Sequence, residues 1–217
     1  VAAAKEANRE LFVGYRLHYE PHHRESIRLC REEAFGKIKF FEGGFGFRIG
    51  NPNQWRLKKA YGGGALMDVG IYVIQAARYT IEKEPIAVTA SGFKTDLVKF
   101  KEVDELITWQ MEFPNGVVAN CTTSFSASTN HLYVAAENGF IRISPAYGYG
   151  GLGGHTRKYK FDFPQVNQQA LHMDGISDHL INGVTHLNTD GEEGLKDMKI
   201  IDAIFTSVEH EGKRILV

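Results

Sequence analysis

Asp68 and Tyr72 stand four residues apart in the run Leu66 to Ile81, which follows three consecutive glycines, Gly62 to Gly64. On an α-helix, positions i and i+4 share a face, so a carboxylate and a phenol at this spacing can address one small volume. A Tyr hydroxyl beside a carboxylate can relay a proton to or from a substrate hydroxyl. The competing reading is structural: a Gly-rich turn ahead of a buried helix whose Asp and Tyr simply find ordinary polar partners.

Other polar residues invite the same comparison. In Gly14 to Pro21, "GYRLHYEP", Arg16, His18 and Tyr19 can line a polyol site, because sugar hydroxyls need fixed donors and acceptors. A structural salt bridge competes for Arg16. Trp55 and Arg56 form a pair able to stack on and hydrogen-bond a sugar or nucleotide, although a lone Trp usually anchors packing. His18 and His22 have i,i+4 spacing, but Pro21 sets a helix start between them and nothing completes a tetrahedral donor set, so no metal site is read. Gly148 to Gly153 matches G-x-G-x-x-G literally. Strand-like "HTRKYKF" follows it, so no helix N-terminus is expected to meet a pyrophosphate and a loop is expected. His172 and His179 lie seven apart on one helix face; one of them can reach a cleft, with a solvated or capped ring as the default.

The segment Gly62 to Tyr72, "GGGALMDVGIY", resembles the signature helix of the Gfo/Idh/MocA oxidoreductases, most closely that of glucose–fructose oxidoreductase-like proteins, which carry Tyr where the wider family has His. "GYRLHYEP", "QWRL" at Gln54 to Leu57 and "GEEGLKDMKIIDAIF" at Gly191 to Phe205 resemble the same branch, in the same order. The resemblance implies hydride transfer between a nicotinamide and a sugar carbon. Tyr72 would give or take the hydroxyl proton, and Asp68 would orient the sugar and tune Tyr72. It implies NADP or NAD as cofactor, held mainly by a Rossmann domain that precedes this segment and carries a Glu-Lys-Pro motif with a catalytic lysine. No Glu-Lys-Pro occurs here, and Glu82-Lys83-Glu84-Pro85 has an extra residue in the wrong place. A phenol titrating near ~10 needs a nearby cation for acid/base work, which the absent lysine would supply.

Composition sets the outer bounds. The chain has 217 residues, 43% apolar and 24% charged, ordinary values for a globular domain. A net charge of −1 without a long basic run lacks the electrostatic footprint of a nucleic-acid binder, and no apolar run is long enough to cross a bilayer. Cys30 and Cys121 need no pairing, which suits the cytoplasm, with the periplasm as the alternative. The beginning, "VAAAKEANRELFVGY", reads as a helix end running into a strand, and a fragment of a longer protein is expected.

The elements that must position these residues follow from periodicity. Leu11 to Leu17 reads as a short strand. A helix starts with Pro21 at its first turn, puts His23, Ile27, Cys30 and Ala34 on one face, and ends at Gly36. Lys37 to Arg48 reads as a strand whose Gly43, Gly44 and Gly46 suggest a bulge or close approach. Asn51 to Tyr61 is a loop, and the signature helix runs to about Ile81 with an apolar stripe through Val69, Val73 and Ala77. Alternation then predicts strands from Ile86 to Phe161, with Asn115-Gly116 and Asn138-Gly139 as hairpin turns of an antiparallel meander. The expected strand Val117 to Ser126 has one face of Val118, Asn120, Thr122, Ser124 and Ser126, a small polar face suited to solvent or a wet subunit contact. Two helices close the chain. The first ends at Gly183; the second starts at Asp190 with Glu193 as a capping box and ends at Gly212, before an edge strand Arg214 to Val217.

The expected fold is therefore α+β, a predominantly antiparallel open sheet with helices on one face, forming one domain over 1–217. With the resemblance, it reads as the substrate-binding and oligomerisation domain of an NAD(P)-dependent sugar oxidoreductase, catalytically incomplete as an isolated chain. Its partners would be a small sugar, its own Rossmann half and further copies through the sheet face, with no nucleic acid and no membrane. A stand-alone module binding carbohydrate or protein without redox chemistry is the alternative, and a pure assembly domain is a third.

Overall fold

The computed structural model describes residues 1–184 and 189–217. The strands are β1 (Ile38–Gly46), β2 (Ala87–Phe93), β3 (Leu106–Glu112), β4 (Val118–Ser124), β5 (Thr129–Ala136), β6 (Gly139–Ile143), β7 (Gly154–Thr156) and β8 (Ile215–Leu216). Among the described residues they form one open sheet in the order β7-β6-β5-β1-β4-β3-β2-β8. Every pairing is antiparallel except β1 with β4. Period-two alternation sorts the two faces. Phe41, Val88, Ile107, Trp109, Met111 and Cys121 point into the core, while Glu42, Thr108, Gln110, Asn120 and Thr122 stand on the opposite face.

The helices are α1 (Ala2–Glu6), α2 (Pro21–Arg31), α3 (Ile71–Ile81), α4 (Gln168–Asn182) and α5 (Gly191–Glu209). Helix α3 packs over β1, β4 and β5, α5 covers β2, and α2 packs on α3. Gly43 lets the sheet and α3 meet: a Cβ there would lie 2.9 Å from Val73 Cγ1. The expected α+β plan holds, with α2, α3 and α5 covering the apolar face of the sheet.

Several local expectations are corrected. The sheet holds two meanders, β2-β3-β4 and β5-β6-β7, with β1 inserted between β4 and β5. Phe41 of β1 stands level with Ala119 and Val134 on either side, so β1 completes the apolar centre of the sheet. The Asn115-Gly116 hairpin closes as a three-residue loop. Gly116 N–H donates to Phe113 O at 3.0 Å, and of Pro114, Asn115 and Gly116 only Gly116 has positive φ. In the second hairpin, Gly139 opens β6, and Glu137-Asn138 form the loop without positive φ.

The first expected strand, Leu11 to Leu17, is a single bridge, Phe12 to Asp190, followed by a 3₁₀ turn over Arg16–Tyr19. All four side chains of that turn are buried, which a two-sided edge strand would not achieve. Helix α2 stops at Arg31, because Glu33 and Gly36 take positive φ, so Ala34 lies outside it. Helix α5 stops at Glu209, ahead of the positive-φ turn at Gly212. Asp190 caps α5 by accepting from Glu193 N–H at 3.0 Å. The Glu193 carboxylate turns instead towards α3, so only half of the capping box forms.

That departure has a cause in the core. Arg78 of α3 is buried and donates to Asp197 at 2.6 Å, Glu193 at 2.8 Å and Glu84 at 2.7 Å. Gln75 donates to Asp197 at 3.1 Å and Tyr79 to Glu193 at 2.8 Å, so positions 75, 78 and 79 form one polar face locked to α5. Burial raises the Asp197 carboxyl despite Arg78 beside it. At Glu193 burial is outweighed by hydrogen bonds from Lys196 and Tyr79 and by the Arg78 charge, so its titration falls. Arg78→Met leaves the buried Asp197 carboxylate without its cation and takes one of two cations from the buried Glu193. Urea unfolding of the full-length protein is expected to show a loss of about 3–5 kcal/mol.

Candidate active site

The start of the signature helix is set by what surrounds the three glycines. A Cβ at Gly63 would lie 2.5 Å from Arg56 O. Gly64 has φ +118, and a Cβ there would lie 2.2 Å from Asp104 Oδ1. That close approach lets Asp104 Oδ2 accept from Leu66 N–H at 2.8 Å, satisfying one of the helix's orphan donors. Residues Leu66–Gly70 then make a wide π turn, with Ile71 N–H donating to Leu66 O, before α3 proper begins. Insertions of this kind recur at functional sites, because they re-aim side chains along an otherwise regular helix. Thr123 of β4 ties the turn down, donating at 3.0 Å towards Ala65 O and Phe45 O.

Asp68 and Tyr72 leave this segment towards different partners. Asp68 Oδ2 accepts from Arg56 Nε at 2.6 Å, and the Arg56 guanidinium lies 4.6 Å from the Trp55 ring centroid. Trp55 itself is 46% exposed, so its ring remains open to solvent. Tyr72 meets Phe45 edge-on at 5.6 Å and has Tyr147 at 6.4 Å. The Arg16 guanidinium lies 5.0 Å from the Tyr72 ring and 4.1 Å from the Tyr149 ring, placing one cation between two phenols. Among the described residues no hydrogen bond joins Asp68 to Tyr72, so a direct tuning contact between them is absent.

The other expected residues divide. Arg16 makes no salt bridge among the described residues. It is buried and donates to Tyr147 O at 2.7 Å, Gly148 O at 3.1 Å and Gln168 Oε1, fastening the glycine-rich loop and the start of α4. His18 lines a small cavity together with Tyr72. Tyr19 lies away from this group, packed against His172 at 5.0 Å with its hydroxyl 3.4 Å from Thr189 Oγ1. His22 pairs with Glu20 at 2.7 Å and His23 with Ala146 O at 2.7 Å, so these imidazoles address separate partners. No group of three potential metal donors gathers among the described residues. His172 is buried beside Tyr19, and His179 pairs with Glu10 at 2.9 Å, so their partners belong to the α4 surroundings rather than to the Tyr72 group. The loop Gly148–Gly153 leads into β7, not a helix, so it offers a dinucleotide no helix N-terminus.

Phe45, Tyr147, Tyr149 and Gln168 belong to the site's surroundings and were not anticipated. The alternating "YGYGG" at Tyr147–Gly151 carried a usable signal, two aromatics in a flexible-looking loop. Nothing in the sequence paired Gln168 with Arg16. The helix start thus supplies a phenol beside Arg16 and a carboxylate held by Arg56 of the neighbouring 55–57 turn, whose Trp55 indole is exposed. These are groups suited to hydroxyl recognition and proton transfer.

Comparison with known proteins supplies independent findings. The family model described as the GFO/IDH/MocA C-terminal domain matches residues 23–142. The chain is 30% identical to D-xylose 1-dehydrogenase [NADP(+)] of Haloarcula marismortui, covering 98% of this chain and 62% of that protein. It is 28% identical to trans-1,2-dihydrobenzene-1,2-diol dehydrogenase of Xenopus laevis, covering 81% of this chain and 52% of that one. The chain thus spans between half and two thirds of the length of these relatives. Among solved structures, aldose-aldose oxidoreductase from Caulobacter crescentus, complexed with glycerol, superimposes with a TM-score of 0.93 at 36% identity. That match covers 100% of this chain and 66% of that one. An NAD binding oxidoreductase from Klebsiella pneumoniae, at 18% identity and a TM-score of 0.82, shares the fold and covers 100% of this chain and 68% of that one.

Buried imidazoles make this region sensitive to acid. Burial, reinforced by His23 and Arg78 nearby, pushes His18 down to about 3, and burial also lowers His23 and His172. An unfolded chain protonates histidine near pH 6.5, so below that pH unfolding takes up protons. The contribution is fully present above about pH 6.5 and is lost as the pH falls towards 3. From pH 7 to pH 5, His18 alone is expected to remove about 2 kcal/mol. Urea midpoints measured across this range should fall with acid in the full-length protein, and less steeply in His18→Phe.

Proposed function

Because this chain belongs to the Gfo/Idh/MocA oxidoreductase family, we propose that it is the substrate-binding and oligomerisation domain of an NAD(P)-dependent oxidoreductase acting on a sugar hydroxyl or aldehyde. The observation that carries this reading is the start of the signature helix, which sends Tyr72 to the buried Arg16 and Asp68 to Arg56, with the exposed Trp55 ring against that guanidinium. The likeness to a xylose dehydrogenase and to an aldose-aldose oxidoreductase supports an aldose as the substrate class. NADP is favoured over NAD by the first of these relatives.

Within this reading Tyr72 gives or takes the proton of the reacting hydroxyl. Its ring is held by Phe45 on its edge and by the Arg16 cation. Asp68 spends one lone pair on Arg56 and keeps others to accept from sugar hydroxyls. Trp55 offers an exposed ring face to the apolar side of a pyranose. The hydride would be exchanged with a nicotinamide held, as the family resemblance implies, mainly by a Rossmann domain outside this chain, and this chain alone is expected to be inactive. The polar outer face of the sheet, with Glu42, Gln110, Asn120 and His131, suits a wet contact between copies. Two unpaired buried cysteines support a cytoplasmic location, and no helix among the described residues is long and apolar enough to cross a membrane.

In the full-length protein, Tyr72→Phe should lower kcat for aldose oxidation by about 10²-fold with cofactor affinity kept, the scale of a lost acid/base group. Steady-state kinetics with D-xylose and glucose, together with a cofactor titration, measures both. Unchanged turnover would remove Tyr72 from the proton-transfer role.

A further inference from the structure

His18 is 4% exposed, and neither of its ring nitrogens has a hydrogen-bond partner among the described residues. Leaving two such nitrogens dry in a protein interior is costly, and native folds ordinarily satisfy them with protein or with ordered water. The ring is wedged edge-to-face against Tyr79 at 4.0 Å, so it cannot swing out to solvent without displacing α3. It borders a cavity of about 20 Å³, enough for one water, whose wall also includes Tyr72, Gln75, His23 and Thr80. Most of those polar neighbours are already engaged. The Gln75 amide donates to Asp197, His23 pairs with Ala146 O, and Thr80 donates to Ala76 O. His18 and the Tyr72 hydroxyl are the two that hold no hydrogen bond to protein among the described residues.

We propose that this cavity is a buried water site, and that His18 acts through that water to fix the hydrogen-bonding direction of the Tyr72 hydroxyl. A neutral imidazole presents one donor and one acceptor, so it can hold a water from one nitrogen while the water reaches the phenol. Its catalytic consequence rests on the reading of Tyr72 as the proton-transfer group; the water site itself does not. His18 is then a positioning residue: it touches neither sugar nor cofactor, but it limits the phenol's hydroxyl to one orientation.

The test uses the full-length enzyme. His18→Phe fills the space with an apolar ring and should lower kcat about tenfold, the scale of a misoriented catalytic group, with sugar KM and cofactor affinity changed less than about twofold. His18→Asn, which retains a donor and an acceptor, should restore kcat to within about threefold of the parent. A high-resolution crystal structure should place an ordered water between the His18 ring and Tyr72 Oη. Wild-type kcat in His18→Phe, alongside a strong loss in Tyr72→Phe, would overturn the positioning role while leaving Tyr72 in place. Full activity in Tyr72→Phe would instead sink the Tyr72 reading. Should His18→Phe fail to fold, the Asn variant and the crystallographic water decide, and a dry cavity overturns the proposal.

Discussion

The Arg78 guanidinium, buried beneath α3 and shared between Asp197, Glu193 and Glu84, is the constraint on which the site's geometry depends. Helix α3 has two obligations. Its apolar stripe, through Val73 and Ala77, must lie on the sheet, and its polar face at positions 75, 78 and 79 must find charge complements. Only one rotation of the helix meets both, because α5 supplies the carboxylates from a fixed place beside β2. A buried ionic network adds little net stability compared with an apolar replacement, yet it penalises every misaligned arrangement heavily. We read it here as a device that fixes the angle of α3, and with it the direction in which Tyr72 leaves the helix.

The other end of the same helix is held by tight packing and hydrogen bonds. Gly63 and Gly64 allow the 54–57 turn and Asp104 to approach so closely that any side chain would collide. The π turn takes up the difference between a helix start pinned by Asp104 and a helix body pinned by Arg78. Asp68 sits inside that turn and Tyr72 just beyond it, which is why the two groups take separate partners. Around them, Arg16 works as a fastener. Its donors hold the Tyr147 and Gly148 carbonyls, and its flat faces meet two phenols, so one buried cation orders an otherwise glycine-rich loop.

Much of this was readable from residue patterns. Alternation at Ile107–Trp109–Met111 located β3, Pro21 opened α2 within its first turn, Gly183 closed α4, and Asp190 marked the start of α5. Such signals are local, since each depends on a few neighbouring residues and a backbone preference. The reading failed where geometry is decided by distant contacts. Leu11 to Leu17 has strand-like residues, but burial of Arg16, Leu17, His18 and Tyr19 together selected a turn. Strands β4 and β5 are neighbours along the chain, yet β1 lies between them because its phenylalanine face completes the core.

The chain's residue order by itself determined the α+β class, the pairing of a phenol with a carboxylate at the head of an apolar helix, and the family resemblance that four ordered motifs carry. Those properties follow from periodicity and local chemistry. Tertiary structure alone decided that Asp68 answers to Arg56, that Arg16 lies between Tyr72 and Tyr149, and that His18 is buried beside a small cavity that Tyr72 also lines, with its nitrogens unmet. Each of these joins residues far apart along the chain or turns on how deeply a ring is buried. Their meeting is a product of packing, which favours one arrangement of the whole core and has no signature in any short stretch of sequence.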